Sequence, residues 1–381
     1  MSFATRIAEY PKENDRIGSV WSWVYGQEPL TEPLDPPDPG EIWFLGEEDG
    51  EPATACTVHD YRAVRGPVDL SCGGVGAVAT LIEYRQKGYG TKFMLDLLPV
   101  MREAGHVVSS LYAFRDPFYA KSGYATSGWR WKISCQSHRL PKTECTLPVA
   151  QVESSKVACL DGCYEKFIRT FSGSVVRREH EWKRRLGKKH PMIYAVGDPI
   201  EAYAWVKMTE FWGNVDVGEV GWSTTRGYES ILAVLRGIAH NQATLTWSEP
   251  PHSPFLAGHF DQGVDFQLAR QTMHRVLDVK KAVEALKPAG KGQLDFKVTD
   301  PQMKENDGCW RAEWSEGKVS VQKTKSSEID FEIGPFSQAF MGAPSVRELA
   351  QHGSIKATKE DALQRAERLL SPMPVCCMEF F

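Results

Sequence analysis

The stretch that most constrains this chain is Val75 to Thr91, VGAVATLIEYRQKGYGT, where an apolar strand stops at Glu83 and an amphipathic helix is expected over Thr91 to Ala104. A strand that turns directly into a helix belongs to a layered α/β sheet, because the helix folds back to cover the strand's apolar face. Between the two stands Arg85-Gln86-Lys87-Gly88-Tyr89-Gly90. The spacing R-x-x-G-x-G lets glycine backbone approach an anion closely, and the unpaired N–H groups of a helix N-terminus point at that anion with the positive end of the dipole. Arg85 and Lys87 add charge, and a pyrophosphate is the natural guest. The pattern is neither the dinucleotide fingerprint G-x-G-x-x-G nor the phosphate loop G-x-x-x-x-G-K-[ST]. Beyond an expected strand at His106 to Phe114 comes Asp116-Pro-Phe-Tyr-Ala-Lys-Ser-Gly-Tyr124.

Composition narrows the partners. Lys plus Arg total 45 against 49 Asp plus Glu, a net −4 that lacks the basic footprint a nucleic-acid binder needs. No run approaches the roughly 18 to 20 apolar residues that span a bilayer, and the opening MSFATRIAEYPKENDRIG has no signal-peptide core, so a soluble cytoplasmic protein without membrane partners is expected. The nine cysteines, odd in number, read as free thiols. Neither Cys159/Cys163 nor Cys376-Cys377 has the companion ligands of a zinc tetrahedron, and no metal is expected.

The texture divides the 381 residues into three parts, 1–134, 135–275 and 276–381. In the first, Gln27 to Pro52 carries nine acids (Glu28, Glu32, Asp35, Asp38, Glu41, Glu47, Glu48, Asp49, Glu51) and no Lys or Arg, which reads as a surface loop broken by a short strand at Ile42 to Leu45. The middle part opens with a helix candidate over Tyr164 to Leu186, in which the basic run from Arg177 to Lys189 reads as a solvated face with intrahelical pairs. Strands at Met192 to Val196, Ala202 to Met208 and Val215 to Trp222, a helix over Gly227 to Ala239 and a strand at Ala243 to Ser248 loosely repeat the order of the first part. The last part reads as a helix at Val279 to Leu286, a four-strand meander between Gln293 and Ile333, and helices at Pro335 to Phe340, Ser345 to Gln351 and Lys359 to Leu370. It ends in Cys376-Cys-Met-Glu-Phe-Phe381, an apolar finish where termini are usually polar and frayed.

The apolar strand, the R-x-x-G-x-G turn and the later F-Y-x-x-x-G-[FY] together resemble motifs A and B of the GNAT acetyltransferases. An N-terminal GNAT domain, a second GNAT-like domain without the phosphate turn, a sterol-carrier-like C-terminal α/β domain and an aromatic last residue look like the enhanced intracellular survival (Eis) family, over nearly the whole chain. The resemblance implies an α/β (α+β) fold and acetyl-CoA as co-substrate. It assigns Val78, Ala79 and Thr80 to the pantetheine arm, the turn Gln86, Lys87, Gly88, Tyr89, Gly90 and Thr91, flanked by Arg85, to the pyrophosphate, and Phe114 and Arg115 to the splayed end of the next strand. Tyr119 matches the general acid, with Tyr124 a nearby rival better read as packing. The α-carboxylate of Phe381 matches the general base, and a homo-oligomer, commonly a hexamer, is implied.

Acetyl transfer to nitrogen needs a base for the amine proton and an acid for the leaving thiolate. A phenol with pKa near 10 suits a thiolate of about 8.5 where water is excluded, and burial would raise the carboxylate's basicity above its ordinary value of roughly 3.5. The acidic stretch and Trp21, Trp23 and Tyr25 could steer and flank a cationic acceptor, aminoglycoside-like or polyamine-like, although they also read as a solvated loop and a buried face. The aminoglycoside-modifying members carry an acid next to the last residue; this chain has Phe380 there and Glu379 one place earlier. A protein-lysine acetyltransferase and a non-catalytic lipid carrier are the alternative readings.

Overall fold

A computed structural model describes residues 2–26, 32–186, 191–208, 213–238 and 243–379. The chain forms two compact units, Met1–Ser127 with Thr272–Met373, and Gly128–Gln271 with the tail from Pro374. In chain order the first stretch contains β1 (Phe3–Ile7), α1 (Asn14–Val24), β2 (Glu41–Glu48), β3 (Glu51–Arg65), β4 (Val68–Thr80), α2 (Tyr89–Glu103), β5 (Val108–Tyr112), α3 (Asp116–Ala120) and β6 (Ala125–Thr126). The second contains β7 (Trp129–Gln136), β8 (Val149–Val152), α4 (Asp161–Ile168), β9 (Ser172–Val175), α5 (Glu179–Leu186), β10 (Met192–Val196), β11 (Ala202–Met208), β12 (Val215–Trp222), α6 (Thr225–Ile238), β13 (Thr244–Glu249), α7 (Pro254–Gly258) and β14 (Val264–Arg270). The third contains β15 (Thr272–Val276), α8 (Val279–Ala285), β16 (Lys291–Thr299), β17 (Gly308–Ser315), β18 (Lys318–Lys323), β19 (Ile329–Glu332), α9 (Ile333–Met341), α10 (Val346–Gln351), β20 (Lys356–Ala357) and α11 (Glu360–Leu370).

In the first unit the leading sheet runs β1-β2-β3-β4-β5-β15-β6. All neighbours are antiparallel except β4 and β5, which lie parallel because α2 crosses between them. Phe93, Met94, Leu97, Leu98 and Met101 form the buried stripe of α2 and share a core with Phe44, Val75 and Leu111. The hairpin between β2 and β3 turns at Asp49-Gly50, both at positive φ, which extends the short expected strand to eight residues. Residues 272–275, grouped with the middle part by sequence texture, pair in this first sheet. Every residue of β15 is buried, so the strand is stable only between two neighbours, here β5 and β6. Conversely β7, which begins at Trp129, belongs to the second unit.

The second unit has the order β14-β7-β13-β12-β11-β10-β8, again with one parallel pair, β12 and β13, bridged by a helix, α6. The two repeats share one pattern, a largely antiparallel sheet with a single parallel pair bridged by a helix. The helix expected over Tyr164 to Leu186 is broken into α4 and α5 by strand β9. Gly173 stands at φ +96° between two serines that compete for backbone hydrogen bonds, and β-branched Val175 and Val176 follow. Arg177 precedes α5, and instead of facing solvent it is wholly buried.

In the sterol-carrier-like part the sheet order is β18-β17-β16-β19-β20. The expected meander holds for three strands, but β19 returns parallel to β16. That placement seats Phe331 against Phe336 of α9, with Phe296 stacked on the same ring, an apolar contact that a fourth meander position would lose.

Candidate active site

The parallel ladder of β4 and β5 stops at Val75 and Leu111, yet β4 continues to Thr80. Along that extension β4 stays paired with β3, through Ala79 with Ala55 and Thr80 with Thr54, after a bulge at Ala77, which stands at φ +49°. Among the described residues no strand pairs with the edge of Val78, Ala79 and Thr80 that faces away from β3, so an extended chain with amides can pair with it as a further strand would. Trp21 of α1 and Tyr25, the residue that caps its C-terminus, reach the bulge: Trp21 donates to the Ala77 carbonyl at 2.8 Å and the Tyr25 hydroxyl to the Val78 carbonyl at 3.3 Å. Trp23 points elsewhere and is 68% exposed, so the Trp-x-Trp-x-Tyr alternation is not one face.

After Thr80 a short 3-10 turn leads into α2, which begins at Tyr89, two residues before the expected start. Gly88 is the N-cap, with φ +83°, and no side chain caps the helix. Gln86 also has positive φ, +63°. The first-turn amides, those of Tyr89, Gly90 and Thr91 among them, have no intrahelical acceptor and face an open turn. A β-carbon on Gly88 would touch nothing within 4 Å, so its positive φ is what demands glycine; Gly90 is held closely instead, with a built β-carbon 3.1 Å from the ring of Phe118.

The two expected cations behave differently. Arg85 Nε donates to the Thr80 carbonyl at 2.9 Å, locking the turn to the strand, while Lys87 Nζ lies 3.1 Å from Glu48, over the Tyr84 ring. The Tyr89 hydroxyl donates to the same carboxylate, which lies below its ordinary pKa because of these two partners. Glu47 pairs with Arg6 and Arg16, and Glu41 accepts from Trp43. Asp49 accepts from the Ser2 amide, so Glu41, Glu47, Glu48 and Asp49, of the nine acids expected to steer a cation, are committed within the unit; Glu28 lies outside the described residues.

The contact of Phe118 with Gly90 ties the turn to α3, whose next residue is Tyr119. Tyr119 is 2% exposed, ringed by Phe114, Phe118 and Tyr124, and no described residue hydrogen-bonds its hydroxyl. Burial pushes its pKa well above 10, assisted by Tyr25 and Cys56, and burial likewise raises the Cys56 thiol. Tyr124 is also buried, but its hydroxyl is 2.7 Å from Ser109 Oγ, which donates to Gly73; it packs and is satisfied. Phe114 is 68% exposed beside an exposed Arg115. Val78, Ala79, Thr80, the turn, Phe114 and Tyr119 thus gather where β4 and β5 part. Phe381 lies outside the described residues. Sequence reasoning gave no role to Phe118, although it opens the F-Y-x-x-x-G-[FY] pattern, and passed over Cys56, which carries no motif and matters only through packing.

The second repeat has the same strand-to-helix junction, differently filled. At the start of α6, Thr224 Oγ1 caps the Gly227 amide, and Glu201 accepts from Thr224 and Arg226. A β-carbon on Gly227 would lie 2.7 Å from the Glu201 backbone. A carboxylate already answers this helix N-terminus.

Residues 11–127 match the acetyltransferase (GNAT) domain family and residues 279–378 the sterol carrier protein domain family. An uncharacterized N-acetyltransferase of Streptomyces avermitilis is 24% identical over 353 residues, 82% of this chain and 81% of that protein. A GCN5-related N-acetyltransferase from Anabaena variabilis shares the fold with TM-score 0.89 at 16% identity, covering 100% of both chains. Eis1 from Mycobacterium abscessus does so with TM-score 0.83 at 17% identity, covering 99% of this chain and 100% of its own.

Proposed function

Since the chain belongs to the GNAT N-acetyltransferases, with the Eis-type addition of a sterol-carrier-like domain, we propose that it transfers the acetyl group of acetyl-CoA to the amine of a small cationic acceptor. The observation that carries this reading is the uncapped N-terminus of α2, packed through Gly90 on Phe118, next to a buried tyrosine hydroxyl with no described partner. The amides from Gln86 to Thr91 receive the pyrophosphate, with Arg85 and Lys87 at its rim, and the edge of Val78 to Thr80 that no described strand covers pairs with the pantetheine amides. Phe114 and Arg115 flank the opening.

Tyr119 serves as general acid. Its raised pKa keeps the phenol protonated at neutral pH, and the same dry surroundings raise the basicity of a leaving thiolate, as they raise Cys56, so the donor and acceptor shift together. The α-carboxylate of Phe381, on a chain ending there, takes the amine proton. The same reading includes one GNAT domain that works and one that serves as scaffold, and a homo-oligomer of hexamer size.

The test is thiol release from acetyl-CoA across a panel of amines, for the native terminus and for a version extended beyond Phe381. Turnover that vanishes in the extended protein supports both the activity and the terminal base. Failure to bind acetyl-CoA would sink the reading.

A further inference from the structure

Helix α1 lies on β3 and β4 through a stripe at helical spacing. Ile17, Val20, Trp21 and Val24 pack with Leu45, Ala55 and Ala79, and the two alanines, paired across the strands, are small enough to let the helix come close. Trp21 therefore reaches the strand backbone. Its ring meets the buried ring of Trp43 edge-on, with centroids 5.6 Å apart, which fixes where the indole N–H points. The target is the Ala77 carbonyl, at 2.8 Å. Tyr25, whose amide donates to the Trp21 carbonyl, adds a longer bond from its hydroxyl to the Val78 carbonyl.

The carbonyl that Trp21 engages belongs to a residue in a costly conformation. Ala77 stands at φ +49°, which strains any residue with a β-carbon and which glycine adopts freely. Thr57 pairs with Gly76 and Ala55 with Ala79, so Cys56 alone stands opposite Ala77 and Val78. Without that extra residue the register beyond Gly76 would slip by one, bringing Val78 opposite Ala55 and turning Ala79 out of the α1 contact. The bulge also stands where the sheet parts, since the parallel ladder of β4 and β5 ends at Val75, two residues before it. Alanine itself does not favour such a bulge; a bond from outside the strand does.

We propose that Trp21 is a positioning residue for acetyl-CoA: its N–H holds the Ala77 bulge, and the bulge keeps the edge of Val78 to Thr80 turned away from β5 and available to the cofactor. This rests on the reading of that edge as the pantetheine seat. The indole acts through the Ala77 peptide and not by touching the cofactor.

Trp21→Phe keeps an aromatic ring beside Trp43 and removes the N–H. We expect the acetyl-CoA Kd of the full chain, read by calorimetry, to rise about three- to tenfold, the worth of one lost hydrogen bond, with the far-ultraviolet spectrum unchanged. In the Ala77→Gly background the same change should cost less than about twofold, because glycine holds a positive φ without help. A Kd unmoved by Trp21→Phe overturns the proposal and leaves the cofactor seat standing. An equal rise in both backgrounds also overturns it, since Trp21 would then act by packing or by direct contact with the cofactor. If the unaltered protein binds no acetyl-CoA, the seat falls and the role of Trp21 with it.

Discussion

Tyr119 draws its chemistry from its surroundings. An exposed phenol would exchange protons with water, whereas this one is buried against three aromatic rings and held protonated. Tyr119→Phe keeps the ring contacts and removes only the proton, so kcat should fall about a hundredfold or more while acetyl-CoA affinity stays within twofold, as read by steady-state kinetics and calorimetry. Undiminished turnover would remove Tyr119 from the mechanism. Gly88 is the reverse case, a residue defined by lacking a side chain. Its φ of +83° disfavours any β-carbon, and Asp would also set a negative charge at the helix terminus proposed to receive phosphate. Gly88→Asp should abolish acetyl-CoA binding without changing the far-ultraviolet spectrum; retained binding would move the phosphates elsewhere.

At the level of elements, the two repeats share a fold and differ at one helix terminus. The N-terminus of α2 is uncapped, whereas that of α6 is capped by Thr224 and faced by Glu201 with Arg226. An anion is welcome at the first and repelled at the second. Titration calorimetry should therefore give one acetyl-CoA bound per chain, and a stoichiometry of two would contradict this account of α6. The same comparison explains why the middle domain can serve as scaffold: its sheet and helix are complete, but the turn is filled by its own side chains.

Across the molecule, the GNAT and sterol-carrier-like parts of the first unit share a core. Met303 packs in the cluster of Phe93, Tyr119 and Leu277, and both oxygens of Asp300 accept from Nη2 of Arg275, a wholly buried cation in β15. Removing the carboxylate leaves a buried charge uncompensated, so Asp300→Ala should destabilise the first unit by about 3 to 5 kcal/mol in denaturant unfolding. A loss below about 1 kcal/mol would mean that Arg275 is satisfied some other way.

The strand, turn and helix from Val75 to Thr91 were legible in the sequence because glycine conformation, apolar spacing and helix amphipathicity belong to a few consecutive residues. The order of strands and helices in the middle part was legible for the same reason, and the family likeness supplied the proposal for the site. The tertiary structure alone decided where β15 pairs, that β9 interrupts a plausible helix, that β19 runs parallel, and that Lys87 turns to Glu48. It alone revealed that Arg177 is buried between two carboxylates, since its partners lie 42 and 202 residues away. Read locally, Arg177 sits in a basic amphipathic run; only when the chain has folded do two distant carboxylates make burial of that charge the stable choice.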